Sequence, residues 1–340
     1  MKKYLLPEGG NFYKANLHCH TTVSDGRLTP EQVKQLYVKN GYSVIAYTDH
    51  DILLSHSDLD DDNFLALHGY EMEIDENVDV PFQRKKTCHM CFIALDPDNM
   101  TQVCYHREKY LFGGAPKLRH KIKFDESLPD YERAYTPERI NDMIRIGREN
   151  GFFVTYNHPY WSLETLNEYG KLRNLNAMEI VNNSCLVGGY ADYNEKIYDE
   201  MLIAGACKYC ISTDDNHNVF PEGDPRNDSC GGFTVIKAPC LDYKQITSAL
   251  VNGNFYASQG PEIHDLWIED DCVHITCSNA TSIKMNTGIR VSEIEYAKDG
   301  ELTKASFKLR DDFIYFRLTV TDERGKHANT NAYFIDEVLK

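Results

Sequence analysis

Asn16-Leu17-His18-Cys19-His20-Thr21-Thr22-Val23-Ser24-Asp25-Gly26 is the stretch on which the reading of this chain turns. Its two histidines stand at i and i+2. In a strand the side-chain period is two, so His18 and His20 point to one face and their imidazoles can share a metal ion. Asp25 follows in a Ser-Asp-Gly turn, from which it can fold back and offer a hard oxygen ligand. With 13 histidines in 340 residues, an isolated His-x-His pair carries little weight. Its weight comes from a pattern repeated downstream.

Thr29-Pro30-Glu31-Gln32 opens a helix, with Thr29 as N-cap, Pro30 in the first position and Gln32 placed for a capping box. Val33, Leu36 and Tyr37 fall on one face, and Asn40-Gly41 ends it. The apolar run 42–47 then reads as a buried parallel strand that ends in Thr48-Asp49-His50-Asp51. Thr136-Pro137-Glu138-Arg139 starts the same sequence of elements again. A helix carrying Ile140, Met143, Ile144 and Gly147 stops at Asn150-Gly151; residues 152–156 form a strand, and Asn157-His158-Pro159 follow. A looser third copy has a helix over 193–204, a stop at Gly205, a strand over 207–211 and the end Thr213-Asp214-Asp215-Asn216-His217. Helix–strand alternation of this kind predicts a parallel sheet. In such sheets and barrels functional residues gather at the C-terminal ends of strands. Polar loops account for Asp and Asn after a strand, but not for histidine at three separate strand ends.

Two further strands are predicted over 66–74, with Glu71 and Glu73 on one face, and over 87–95, with His89 near its start. Residues 97–135 read as an insertion, basic and aromatic in an otherwise acidic chain. Its Arg107, Lys117, Arg119 and His120 are candidate substrate-binding cations on a lid, with Gly113-Gly114 as its hinge. Residues 241–253 form a helix with a glycine stop. Beyond them Ile314, Phe316, Leu318 and Val320 alternate with Tyr315, Arg317, Thr319 and Thr321, and hairpin turns fall at Asp270-Asp271, Lys298-Asp299-Gly300 and Glu323-Arg324-Gly325. The division this implies is a β/α unit over 1–260 and a small all-β sandwich over 261–340.

The net charge of −16 opposes binding to long nucleic acid, which needs a basic footprint. It leaves room for a small anionic substrate, because bound metal inverts the local field. The N-terminal run is too short in apolar residues for a signal peptide, and no stretch approaches a membrane span. Eleven cysteines, an odd number, point to reduced thiols and a cytoplasmic protein. Cys88/Cys91 and Cys207/Cys210 lie in strands, where three-residue spacing puts the two members on opposite faces and prevents shared chelation.

Gathered together, the strand-end residues are too many for one zinc and fit two or three ions of Zn, Mn or Fe type. Taken in order, His-x-His, Ser-Asp-Gly, Thr-Asp-His, Gly-x-Glu, a strand His, Asn-His-Pro and Asp-x-His resemble the polymerase and histidinol phosphatase (PHP) family. The match runs from Asn16 to His217. Gly231–Ala238 and Phe255–Pro261, written out as GGFTVIKA and FYASQGP, are similar to stand-alone PHP phosphoesterases with a C-terminal β domain. The resemblance implies a distorted (β/α)7 barrel with a trinuclear metal site. It implies as ligands His18, His20, Asp25, His50, Glu71, His89, His158, Asp215 and His217, with His158, His217 and Asp215 also catalytic. Glu71 is favoured over Glu73 by Gly69-Tyr70-Glu71, and Asp215 over Asp214 by Asp-Asn-His.

The function implied is hydrolysis of a small phosphate monoester by a metal-bridging hydroxide. The alternative on the same cluster is a phosphodiesterase or 5′ exonuclease acting on short oligonucleotides or nucleotides. A cyclic amidohydrolase also uses His-x-His on a β/α barrel, but it wants a strand-end lysine that this chain lacks at the right place. A non-catalytic PHP domain is expected to have lost ligands, and here every motif position is filled. No oligomeric state follows from the sequence.

Overall fold

The computed structural model describes residues 2–339. In chain order the first part runs β1 (Lys3–Tyr4), β2 (Asn11–Asn16), α1 (Pro30–Lys39), β3 (Val44–Tyr47), β4 (Leu65–Asp75), β5 (Thr87–Ala94) and α2 (Pro137–Glu149). It continues through β6 (Phe152–Tyr156), α3 (Leu166–Tyr169), β7 (Leu175–Asn182), α4 (Asn183–Val187), α5 (Glu195–Ala204) and β8 (Cys207–Thr213). The predicted capping box on α1 is present, with the Gln32 amide donating to the Thr29 hydroxyl at 3.3 Å and the Thr29 amide donating to Gln32 Oε1 at 2.9 Å. Its apolar face, Val33 and Tyr37, packs on Cys19, Tyr42, Ile45 and Tyr47. Helix α2 starts and stops where its caps predict, whereas α5 begins two residues later than the predicted 193.

Strands β2 to β8 lie consecutively in one sheet, but the sheet is mixed rather than parallel. Strands β2, β3 and β4 are parallel, as are β6, β7 and β8, while β5 is antiparallel to both its neighbours. Strand β4 reconciles the two halves. Its first four residues pair with β3, and its last seven form a ladder with β5. The outer strands of this set come round to each other. A parallel bridge joins Cys19 to Asn216, the His20 amide donates to the Asn216 carbonyl at 3.1 Å, and the Asp215 amide donates to the His18 carbonyl at 3.0 Å. Strand β7 was not legible in the sequence, because its single charged residue, Glu179, sits in an eight-residue run without helix or hairpin punctuation.

The rest of the chain comprises β9 (Phe233–Ala238), α6 (Tyr243–Asn252), β10 (Phe255–Ser258), β11 (Ile263–Glu269), β12 (Cys272–Cys277), β13 (Ser282–Asn286), β14 (Ser292–Tyr296), β15 (Lys304–Lys308), β16 (Tyr315–Thr321) and β17 (His327–Thr330). The region of the expected C-terminal β-sandwich contains two antiparallel sets of strands. Strands β10, β17, β16, β13 and β14 prolong the large sheet through β9, so it continues across residue 260. The second sheet, in the order β1, β11, β12, β15, recruits its first strand from the N-terminus. Leu6, Val235, Tyr256, Leu266, Phe307, Phe316 and Leu318 share one core between the two sheets. The alternation in β16 is real, yet its polar side is also buried. Arg317 is fully covered and bonded through Nε to Asp199 at 2.7 Å and through Nη2 to Glu195 on α5 at 3.1 Å.

Candidate metal centre

Strand β2 delivers His18 and His20 just beyond its last residue, as a period of two requires. Their Nε2 atoms lie 3.1 Å apart, too close for both to carry a proton and natural for two lone pairs aimed at one point. Glu71 and Asp215 face the same point. His18 Nε2 is 3.2 Å from both carboxylates, and His20 Nε2 is 3.2 Å from Glu71 and 3.0 Å from Asp215. Around this centre His50 Nδ1 stands 3.4 Å from Glu71, His89 Nδ1 3.2 Å from Glu71, and His217 Nε2 3.4 Å from Asp25.

The ligand-type atoms form three groups that share members: His18, His20, Glu71 and Asp215; His20, Asp25, His50 and His217; and His50, Glu71 and His89. Eight of the nine predicted ligands belong to one or more of them. The ninth, His158, stands at the rim of the set, 3.4 Å from Glu71 and 4.0 Å from Asp215. The donor set, imidazoles with carboxylates, is one that suits divalent metal ions. The buried atoms His20 Nδ1, His50 Nδ1, His89 Nε2 and Asp215 Oδ1 have no hydrogen-bond partner. Unmatched buried donors and acceptors are rare and costly, and a bound cation would satisfy them.

Two findings explain why these residues meet. Strand β5 runs in reverse, so His89, near its beginning, emerges at the same end of the sheet as residues that follow the ends of parallel strands. Asp25 is held by the turn after β2. Asp49 accepts from the Thr21 amide and hydroxyl, both at 2.8 Å, and from the Ser24 amide at 3.0 Å and hydroxyl at 2.7 Å. Gly26 is obligatory in that turn, since a Cβ there would lie 2.6 Å from the His20 carbonyl oxygen. His158 (φ 28°) and Asp215 (φ 51°) both adopt left-handed backbone that a non-glycine residue rarely takes, a form of strain that clusters at functional sites.

Electrostatics follow from this crowding. Burial disfavours a charged His18, but with no cation bound Asp215, Glu71 and Glu179 outweigh it and raise its pKa well above that of a free histidine; a bound cation would take the place of that second proton on Nε2. The same contest lifts His158 to about 9 through Glu71 and Asp215. His50, with fewer carboxylates and His20 beside it, is pushed down by burial to about 3. Burial also opposes ionisation of Glu71 and Asp215, yet the surrounding imidazoles hold both carboxyls well below the usual range. The imidazoles and carboxylates of the cluster thus favour each other's charged forms.

Outside the first ring stands Glu179, a residue the sequence did not flag. It is fully buried on β7 and takes His18 Nδ1 at 2.7 Å, the Thr213 hydroxyl at 2.6 Å, the His158 amide at 2.8 Å and Asn182 Nδ2 at 2.9 Å. It fixes the His18 proton on Nδ1 and turns the Nε2 lone pair inward. Likewise the His217 Nδ1 proton goes to the Asp215 carbonyl at 2.9 Å. Asp214 faces away and accepts from the Tyr37 hydroxyl and the amides of Cys230, Gly231 and Gly232. Glu73 lines the cavity but lies 4.0 Å from the nearest imidazole atom, His89 Nε2.

The cluster floors a cavity of about 610 Å³ walled by Phe82, Phe112, Trp161 and Tyr190. The cations expected from the insertion do not reach it. Arg107 pairs with Asp130 at 2.7 Å, and Arg119 is spent on the carbonyls of His106, Arg107 and Glu108. Lys117 and His120 are exposed and outside the cavity lining. Gly113 and Gly114 are no hinge. They press onto the Asp25 turn, with the Gly114 amide bonded to the Ser24 carbonyl at 2.6 Å, and so deliver Phe112 edge-on to His50.

No protein-family profile matches the sequence, and no curated protein matches it. Among solved structures, a two-domain protein from Bacteroides vulgatus ATCC 8482 containing a predicted PHP-like metal-dependent phosphoesterase is similar at 16% identity over 97% of this chain and 90% of that one, with a TM-score of 0.43. A protein from Bifidobacterium adolescentis ATCC 15703 described as a metal-dependent phosphoesterase is 16% identical over 63% of this chain and 91% of its own, with a TM-score of 0.39. An amidohydrolase from Chromobacterium violaceum, with bound sulfate and no metal, is 16% identical over 60% of this chain and 87% of its own, with a TM-score of 0.36.

Proposed function

We propose that this chain is a PHP-type metal-dependent phosphoesterase that hydrolyses a small phosphate monoester. The observation that carries the proposal is the sharing of His20, His50 and Glu71 among three ligand groups. Shared ligands keep ions as close neighbours, the arrangement used for attack at phosphorus. Two to three divalent ions, Zn, Mn or Fe, would be held by His18, His20, Asp25, His50, Glu71, His89, Asp215 and His217. Such ions act as Lewis acids on phosphoryl oxygens and lower the pKa of water. The meeting of β8 with β2 around seven strands supports a distorted (β/α)7-type barrel as the scaffold.

The chain's own residues do the positioning. Asp25, Glu71 and Asp215 supply the negative charge that retains the ions, and Glu179 and the Asp215 carbonyl set the tautomers of His18 and His217. His158 stands outside the three ligand groups, held by its amide on Glu179 and with Nδ1 3.2 Å from the Ser162 hydroxyl. It is the imidazole free to orient the phosphoryl group and give a proton to the leaving alkoxide as the P–O bond breaks. Among the described residues no lysine lines the cavity, which speaks against the carbamate of a cyclic amidohydrolase. The acidic surface argues for a small substrate rather than long nucleic acid, and eleven free cysteines suit the cytoplasm.

Elemental analysis of purified protein is expected to find two to three equivalents of Zn, Mn or Fe. Para-nitrophenyl phosphate should be turned over faster than its bis ester. Finding no metal, and no hydrolysis on adding Mn, would overturn the proposal; turnover of the diester alone would shift it to a phosphodiesterase. His158→Asn should lower kcat about 100-fold or more with metal content retained.

A further inference from the structure

The wall of the cavity carries information that its metal floor does not. Among the described residues six phenylalanine and tyrosine side chains are exposed, and three of them, Phe82 (50%), Phe112 (53%) and Tyr190 (43%), line this one cavity. They come from three separate segments: a single 3-10 turn between β4 and β5, the insertion, and the loop after α4. Trp161, from the loop after β6, completes the wall and stands edge-on to His89 and His158, at 5.4 and 5.0 Å between centroids. Large rings left open around a concave polar floor mark a binding surface for apolar matter. Among the described residues the same lining contains no lysine or arginine; outside the ligand groups its charged residues are Glu73 and, at the rim of the floor, His158.

Resting on the phosphoesterase reading, we infer that the substrate carries a single phosphoryl group on a planar, uncharged, apolar body. The phosphoryl charge is met entirely at the floor. A second anionic group has no cation to meet in the wall and would approach Glu73. A polyhydroxylated body, such as a sugar, stacks a C–H face on a ring but needs polar partners for its hydroxyls, and beside the floor the lining offers few, Glu73, Ser184 and the Tyr190 hydroxyl. A flat ring system instead stacks among Phe82, Phe112, Trp161 and Tyr190 without leaving polar groups unpaired. In hydrolysis of such an ester the water oxygen bonds to phosphorus, the P–O bond to the alcohol breaks, and the alcohol leaves with a proton.

Binding separates this inference from the reaction. Calorimetric titration of the Mn-loaded full chain with 1-naphthylmethylphosphonate and with methylphosphonate is expected to show at least tenfold tighter binding of the naphthyl compound. Phe82→Ala and Phe112→Ala remove half-exposed side chains, so both variants should fold, and each should move the ratio of the two affinities toward one. Equal affinities in the parent protein, or a ratio untouched in both variants, would overturn the inference, as would preferential binding of a nucleoside bisphosphate over the naphthyl compound. If the naphthyl preference holds but 1-naphthyl phosphate releases no phosphate, the inference about the pocket stands and the phosphoesterase reading fails. If neither phosphonate binds, both fail.

Discussion

At the scale of single residues, the centre depends on side chains that do not themselves face it. Glu179 is the clearest case, because one carboxylate orients His18, pins the His158 amide and holds Asn182. Glu179→Gln keeps the shape but weakens the acceptor on His18 Nδ1. Metal affinity, measured by chelator competition, is expected to fall 10- to 100-fold, as for other ligand-orienting partners. Glu164 tests a different property. It is buried beneath the hydroxyls of Tyr135, at 2.6 Å, and Tyr156, and burial lifts it to about 7. An unfolded glutamate titrates near 4.3, so the folded state retains this proton to higher pH than the unfolded state does. Its contribution to stability is full below about pH 4.3 and is lost as pH rises to about 7. Glu164→Gln stays neutral throughout. Relative to the parent it should gain up to about 3 kcal/mol between those limits, read from denaturant melts at pH 4.5 and 7.5.

At the scale of elements, two departures from a regular parallel arrangement make the site. The reversal of β5 brings in His89, which would otherwise lie at the opposite end of the sheet. The docking of the insertion brings in Phe112, and it depends on close backbone approach rather than on charge. Gly113 has φ of +58°, and a Cβ there would fall 2.1 Å from the Ser24 carbonyl oxygen. Gly113→Ala must therefore push the segment off the Asp25 turn. We expect a loss of about 1–3 kcal/mol in stability, faster proteolysis within 97–135 and weaker binding of aromatic ligands. Unchanged proteolysis and affinity would show that the segment docks by other contacts.

At the scale of the whole molecule, the two parts share structure. The large sheet runs through β10 into β17, the N-terminal β1 completes the small sheet, and Asn331 Nδ2 donates to the carbonyls of Gly253 and Phe255, both at 3.0 Å. Arg317 reaches back to α5 from a fully buried position. A chain cut after residue 260 would leave the edge of β10 open, the Asp199 and Glu195 carboxylates without their guanidinium, and Leu6 and Tyr256 uncovered. It is expected to lose cooperative thermal unfolding, monitored by near-UV circular dichroism. A sharp transition close to that of the full chain would refute the shared core.

How much was legible in the sequence follows the range of the forces involved. The caps of α1 and α2, the apolar strands after them and the spacing of His18 and His20 are local, so residues within a few positions determine them. The order of ligand-type residues was also readable, and Glu71 and Asp215, rather than Glu73 and Asp214, are the carboxylates that the fold gathers with the imidazoles. Strand β7 and Glu179 were not readable, because a buried strand without punctuation looks like any apolar run. The insertion misled in a particular way. Its cations suggest an anion site, yet internal partners for Arg107 and Arg119 lie elsewhere in the same loop. The sequence alone thus determined the local elements and the order of ligand-type side chains along the chain. Only the tertiary structure decided the direction of β5, the joining of the two sheets and the aromatic wall, because strand pairing and loop docking are set by contacts between residues far apart in the chain.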